Sequence, residues 1–257
     1  MIPNGNLYTN LSAYYDLFCA DVDYAGQCAS TSRIFECFAQ TDGRQYLDLA
    51  CGTGAHIQIM QTLGFTATGL DNSTEMLAQA AKRCPDAAFV LSDMSAFETA
   101  DRYDLITCFL YSIHYSHPVC ALKQTLKRVY DALQPGGVFI FNAVDINGIT
   151  NRHVVTSHAV AENSQLTFVS GWCYQGEGET MDLHLSITRE PAKEPGIIIQ
   201  KDSWQDQHVM TALEFTSLSA WLLSIGFEST FLEHDYDCLQ PWNGSSFNVL
   251  VVACKPR

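Results

Sequence analysis

Gln45–His56 reads QYLDLACGTGAH, and the fold is decided there. Tyr46 to Ala50 has the apolar character of a buried strand, Cys51-Gly52-Thr53-Gly54 is a tight turn, and a helix begins directly after it. A strand that runs through glycines into a helix N-terminus brings backbone against a nucleotide-like ligand, because glycine has no Cβ to hold the ligand off. Glycine also simply makes turns, so the surroundings must decide. Asp48 lies inside the strand. Asp71 comes nineteen residues after Gly52 and ends a second strand, Thr66 to Leu70. Asp93 follows a third, Ala88 to Leu91.

An acid about twenty residues beyond such a turn is placed to accept hydrogen bonds from ribose hydroxyls. Nicotinamide dinucleotides and S-adenosylmethionine (SAM) both carry that ribose, so Asp71 does not separate them. Two details favour SAM. A carboxylate beside the turn repels a pyrophosphate, whereas the ammonium and sulfonium of SAM are attracted to Asp48. The third glycine of the dinucleotide pattern is replaced by Ile57.

LDLACGTG, GLDNSTEML, SDMSAF, YDLITCF and LQPGGVFIF follow one another in an order and spacing that resemble the class I SAM-dependent methyltransferases. YYDLFCADVDY and SWQDQHVMT are similar to segments of small-molecule N-methyltransferases of the dTDP-aminosugar type. The resemblance implies an α/β fold, a doubly wound, mostly parallel seven-stranded sheet, with an inserted antiparallel sheet. It implies SAM as cofactor and S-adenosylhomocysteine (SAH) as product. In the cofactor site it implies Tyr15 and Tyr24 over the methionine end, backbone at Ala50, Gly52 and Gly54, and Asp71 with Asn72 on the ribose. Met76, Asp93 and Met94 would frame the adenine, with Asp48 and Phe109 completing the site.

Composition bounds the partners. The 257 residues carry a net charge of −14, and no Lys/Arg run relieves it, which argues against tight nucleic-acid binding. Ten cysteines are scattered without CxxC or Cys/His metal spacing, so no metal is expected; Cys51, Cys108 and Cys254 read as small buried hydrophobes, and a reducing compartment is consistent. The start, MIPNGNLYTN, has no charged-then-apolar pattern, and no apolar run reaches membrane-spanning length. A cytoplasmic protein acting on a small molecule is the expectation.

The periodicities predict helices over 7–19 and 24–40, then strands alternating with helices through residue 142. Leu122, Leu126, Val129 and Leu133 mark one amphipathic helix, stopped by Pro135-Gly136-Gly137. Beyond Asn142 the period changes to two, as in Leu183, Leu185 and Ile187, and Ile197 to Gln200 reads as a further strand. Residues 150–208 are therefore expected to form the inserted sheet, as an acceptor cap or a homodimer interface. Residues 1–149 and 209–257 form the SAM-binding domain.

Methyl transfer from a sulfonium is an in-line displacement in which the protein aligns the nucleophile, excludes water and handles one proton. Ligands lie beyond the carboxyl ends of the strands. Phe109 to His117 leaves strand four at that edge, with Tyr111 and Tyr115 as acceptor-contact candidates and His114 as the proton carrier. His114 reads equally as a hydrogen-bonded loop residue. Tyr15 is the second catalytic candidate. His208 lies on one strand face with Asp206, either in the acceptor pocket or in a structural hydrogen bond. Two other readings stay open: a non-catalytic SAM-binding regulator, and a NAD-dependent oxidoreductase.

Overall fold

The computed structural model describes residues 6–8, 14–152, 154–161, 163–191 and 202–257. Strand β1 (Gln45–Leu49) is central, pairing in parallel with β2 (Thr66–Asp71) on one side and β4 (Tyr103–Cys108) on the other. With β3 (Ala88–Leu91), β5 (Leu133–Val144), β10 (Glu228–Glu233) and β11 (Asn248–Cys254), these strands form a seven-stranded sheet of order β10-β11-β5-β4-β1-β2-β3. Strand β11 alone runs against the direction of the other six.

Alternation along β1 sets the two faces. Tyr46 packs with Ile34 and Phe35 of α2 (Tyr24–Phe38) and with Ile57 and Met60 of α3 (Ala55–Thr62). Leu47 and Leu49 pack with Leu122, Leu126 and Val129 of α5 (Val119–Ala132) and with Leu218 and Leu222 of α6 (Phe215–Ile225). Asp48 shares the Tyr46 face, so it points toward α2 and α3. The remaining helices are a single turn, α1 (Tyr15–Phe18), and α4 (Thr74–Arg83), whose N-cap Ser73 accepts from the Met76 amide at 3.2 Å.

A second sheet, β6 (Val154–Ala161), β7 (Ser164–Cys173), β8 (Thr180–Pro191) and β9 (Asp202–Thr211), is antiparallel throughout and ordered β6-β7-β8-β9. Its inner face, with Leu166, Phe168, Leu185 and Ile187, packs on Leu7, Tyr8, Tyr14, Tyr15, Leu17 and Phe18.

Of the expected helix over 7–19, the described residues show two pieces. A 3-10 turn spans Asn6–Tyr8, α1 spans four residues, and 9–13 lie outside the described residues. The aromatic stripe, helical over Tyr15–Phe18, covers the second sheet. The expected strand at 197–200 also lies outside the described residues. Strand β5 starts before the Pro135-Gly136-Gly137 stop and runs past Asn142 to Val144, with Gly136 at φ +84° where the ladder shifts. Among the described residues, no helix is long and apolar enough to cross a membrane.

Candidate active site

The chain leaves β1 through three left-handed residues in alternation: Ala50 at φ +53°, Gly52 at +54° and Gly54 at +81°. A Cβ on Gly52 would meet the Tyr15 ring, and one on Gly54 would lie 3.3 Å from the Ala80 backbone of α4. The turn is tied to β2 by Asp71, whose Oδ2 accepts from the Gly52 amide and Oδ1 from the Ser73 amide, both at 2.9 Å. Burial raises the Asp71 carboxyl above its ordinary value, and these amides act against the rise.

Below the turn is a narrow cleft lined by Asp48, Ala50, Tyr15, Tyr24, His56 and Phe109. Asp48 is 2% exposed. Its Oδ1 accepts from Thr107 Oγ1 at 2.7 Å, and that hydroxyl lies 2.7 Å from Tyr46 Oη. Its Oδ2 is buried without a hydrogen-bond partner. Burial pushes this carboxyl up to about 7. His56 hydrogen-bonds Gln27 Oε1 through Nε2 at 2.8 Å, and burial lowers it to about 3, so it faces the cleft as a neutral ring. An orphaned buried carboxylate oxygen facing neutral rings is a site built for a cation, and the donor set fits SAM.

The N-terminal segment is fastened over this cleft in two places. Asp16 accepts from Thr53 Oγ1 at 2.6 Å and pairs with Arg83, which also donates to the Thr53 carbonyl at 3.0 Å. The Tyr8 carbonyl accepts from Ser73 Oγ at 2.8 Å, and Tyr8 Oη lies 2.8 Å from Tyr115 Oη. Tyr115 Oη in turn lies 2.5 Å from His208 Nδ1. His208 Nε2 stands 3.0 Å from Asp206 Oδ2, within ion-pair range but off the line of a hydrogen bond. Phenol, phenol, imidazole and carboxylate thus form one array between the second sheet and the end of β4.

The other expected residues scatter. Tyr111 lies near this array, at φ +61°, its amide donating to Asn142 Oδ1 at 3.0 Å and its hydroxyl accepting from Asn248 Nδ2 at 2.7 Å. Asn72 is exposed, Met76 is core, and Met94 is buried beside Cys108, with its sulfur 3.7 Å from the thiol. Exposed Asp93 accepts from the amide and hydroxyl of Ser95.

His114 departs from its expected role. It is fully buried, Nδ1 lies 2.9 Å from the Thr211 carbonyl, and Nε2 accepts from the Val144 amide at 3.1 Å. Both nitrogens are occupied in joining β5 to β9, and burial lowers the ring to about 4. It has no free lone pair for a substrate proton. Sequence reasoning also passed over Tyr8, Asp16, Thr53 and His56. His56 alone carried a local signal, standing two residues after Gly54.

Residues 47–137 match the family described as "Methyltransferase domain". The chain is 31% identical over 142 residues to a dTDP-3-amino-3,6-dideoxy-alpha-D-glucopyranose N,N-dimethyltransferase of Streptomyces fradiae, covering 55% of this chain and 56% of that one. It is 26% identical over 227 residues to a dTDP-3-amino-3,4,6-trideoxy-alpha-D-glucopyranose N,N-dimethyltransferase of Streptomyces venezuelae, covering 85% and 90%. Its fold is similar to the crystal structure of Streptomyces venezuelae DesVI, with a TM-score of 0.78 at 23% identity over 96% of this chain and 98% of that one. It is also similar to SAM-bound CalS10, an amino pentose methyltransferase from Micromonospora echinaspora, with a TM-score of 0.77 at 21% identity over 96% and 97%. Residues 47–137 thus match the methyltransferase-domain family model, and the chain shares the fold of DesVI and CalS10.

Proposed function

We propose that this protein transfers a methyl group from SAM to the amino nitrogen of a small molecule, with an amino sugar as the acceptor class. The array Asp206–His208–Tyr115–Tyr8 beside the cofactor cleft carries this reading. SAM supplies a methyl already activated on sulfur. An amine attacks only through a free lone pair, so an ammonium must first give up one N–H proton. Tyr115 takes that proton as it passes its own to His208 Nδ1, and Asp206 stabilises the imidazolium. Burial pushes the Tyr115 phenol well above its ordinary value, so it serves as a relay and His208 as the proton's destination.

The relatives' names support the acceptor class. A dinucleotide is disfavoured because its pyrophosphate would meet Asp48 at the turn. In this reading Tyr15 and Tyr24 line the methionine end, Asp71 holds the ribose, and Asp93 with Met94 frames the adenine. The second sheet, which we assign to residues 150–208 and the strand that continues from them, roofs the acceptor. Val154, Val155 and Val160 are 65%, 69% and 77% exposed along its edge strand β6, and we assign that edge to a second copy. Ten free cysteines fit a reducing, cytoplasmic setting.

The test incubates the protein with SAM and a panel of dTDP-linked amino sugars, free amino sugars and simple amines, and measures SAH and methylated product. Methylation of an amino sugar is the expected result. SAM binding without turnover on the whole panel would instead favour a regulatory SAM-binding protein.

A further inference from the structure

Asp48 is the buried acid that lines the proposed cofactor cleft. Its carboxylate closes the floor of the cleft, one oxygen held by Thr107 and the other buried with no partner. The groups around it come from every neighbouring element. Tyr46 on β1 and Thr107 and Cys108 on β4 flank it. Cys28 and Tyr24 of α2, His56 of α3, Cys51 of the turn and Tyr15 of α1 close the remaining sides. Asp71 is the nearest other acid, while Asp16 and Arg83 are occupied with each other. No cation faces Asp48 among these groups. His56 is held neutral by burial, and the phenols and thiols stay protonated.

A carboxylate so placed is costly to ionise alone and favourable to ionise once a cation arrives. SAM carries one positive charge more than SAH, on sulfur. We infer that Asp48 ionises when SAM binds, releasing a proton from the protein, and that it sets the preference for SAM over SAH. The preference therefore depends on pH. In acid the carboxyl stays protonated and the two ligands bind alike; as it ionises, SAM gains over SAH. Transfer of the methyl group removes the sulfonium charge, lets Asp48 regain its proton, and weakens the hold on the product. This inference rests on the SAM-binding reading above.

Burial places the free carboxyl at about 7, which sets the range to examine. Calorimetric titrations of the intact protein with SAM and with SAH, in buffers of different ionisation enthalpy, count the protons released. Near pH 7, roughly half a proton is expected to leave on SAM binding and less on SAH binding. The ratio of SAM to SAH affinity is expected to rise several-fold between pH 6 and pH 7.5. Asp48→Asn should bind SAM without the release and should level the ratio across that range. The amino groups of the ligands titrate equally with both proteins and cancel in the comparison.

Wild-type protein that binds SAM with no proton release and a pH-independent ratio would overturn the inference and leave the cofactor assignment standing. Failure to bind SAM at all would overturn both. Titration of free SAM and SAH in the same buffers removes their own amino-group contribution, so the wild-type measurements decide the matter even where Asp48→Asn does not fold.

Discussion

Tyr115 Oη stands 2.5 Å from His208 Nδ1, although the two side chains are brought together from the loop after β4 and from the second sheet. Neither is useful to a proton alone. The phenol is too weak an acid to ionise, and the imidazole is 5% exposed. Joined, in the proposed reaction, they would offer an amine a path for its proton that ends on a ring beside Asp206. Tyr115→Phe is expected to lower kcat by about 10²- to 10³-fold at neutral pH while leaving the Kd for SAM within about twofold. His208→Gln should give a similar loss, and the loss should shrink as pH is raised and the amine deprotonates unaided. Steady-state kinetics from pH 6 to 9.5 check both. A kcat unchanged in Tyr115→Phe would remove the relay.

Asp71 accepts two backbone amides and, in the proposed complex, the ribose as well. Asp71→Asn keeps the size but replaces one accepting oxygen with a donor facing an amide. Hydrogen bonds to a charged acceptor contribute about 1.5–3 kcal/mol, so SAM affinity should fall about tenfold to a hundredfold. Titration by calorimetry or intrinsic fluorescence measures this, and circular dichroism verifies the fold.

Ala50 holds a left-handed backbone at φ +53°, where an L side chain is strained by about 1–2 kcal/mol. Glycine removes the strain but loses about 0.5–1 kcal/mol to unfolded-state entropy. Ala50→Gly is expected to raise the Tm by about 1–3 °C, with SAM affinity kept. A thermal melt decides it, and a fall in Tm would mean that the methyl group's packing outweighs the strain.

His114 is predicted to matter for stability and not for catalysis. His114→Ala leaves the Val144 amide and the Thr211 carbonyl without their partner and should cost about 2–4 kcal/mol. The folded ring titrates near 4 and the unfolded one near 6.5, so the contribution of neutral His114 is complete above 6.5 and is lost as pH falls toward 4. The stability gap between wild type and His114→Asn should therefore narrow by about 1.4 kcal/mol per pH unit over that interval. Denaturant unfolding at pH 7, 6 and 5 measures the slope. A pH-independent gap would contradict it.

The parts of this molecule legible in its sequence are those whose cause is local. Strand, glycine turn and helix follow from residues 45–62, and the acids at 48 and 71 lie beside that turn, so the shape of the cleft there could be read from spacing. The array of Tyr8, Tyr115 and His208 could not. Tyr8, Tyr115 and His208 meet across separations of 107 and 93 residues, and no periodicity encodes that meeting. Asp16 looked like one acid in an aromatic helix until Thr53 and Arg83 closed around it. His114 looked reactive because its sequence neighbours are polar and aromatic. Its burial comes from β5 and β9, more than 25 residues away in the chain.

The segment carrying Tyr8 touches both halves at once, its carbonyl on Ser73 and its hydroxyl on Tyr115. In the proposed complex, exchange of spent cofactor beneath that segment would disturb the contacts on the acceptor side. Were the acceptor nitrogen to take two methyl groups, its release between the transfers is expected, and a time course in which the singly methylated amine appears free before the doubly methylated one would check it.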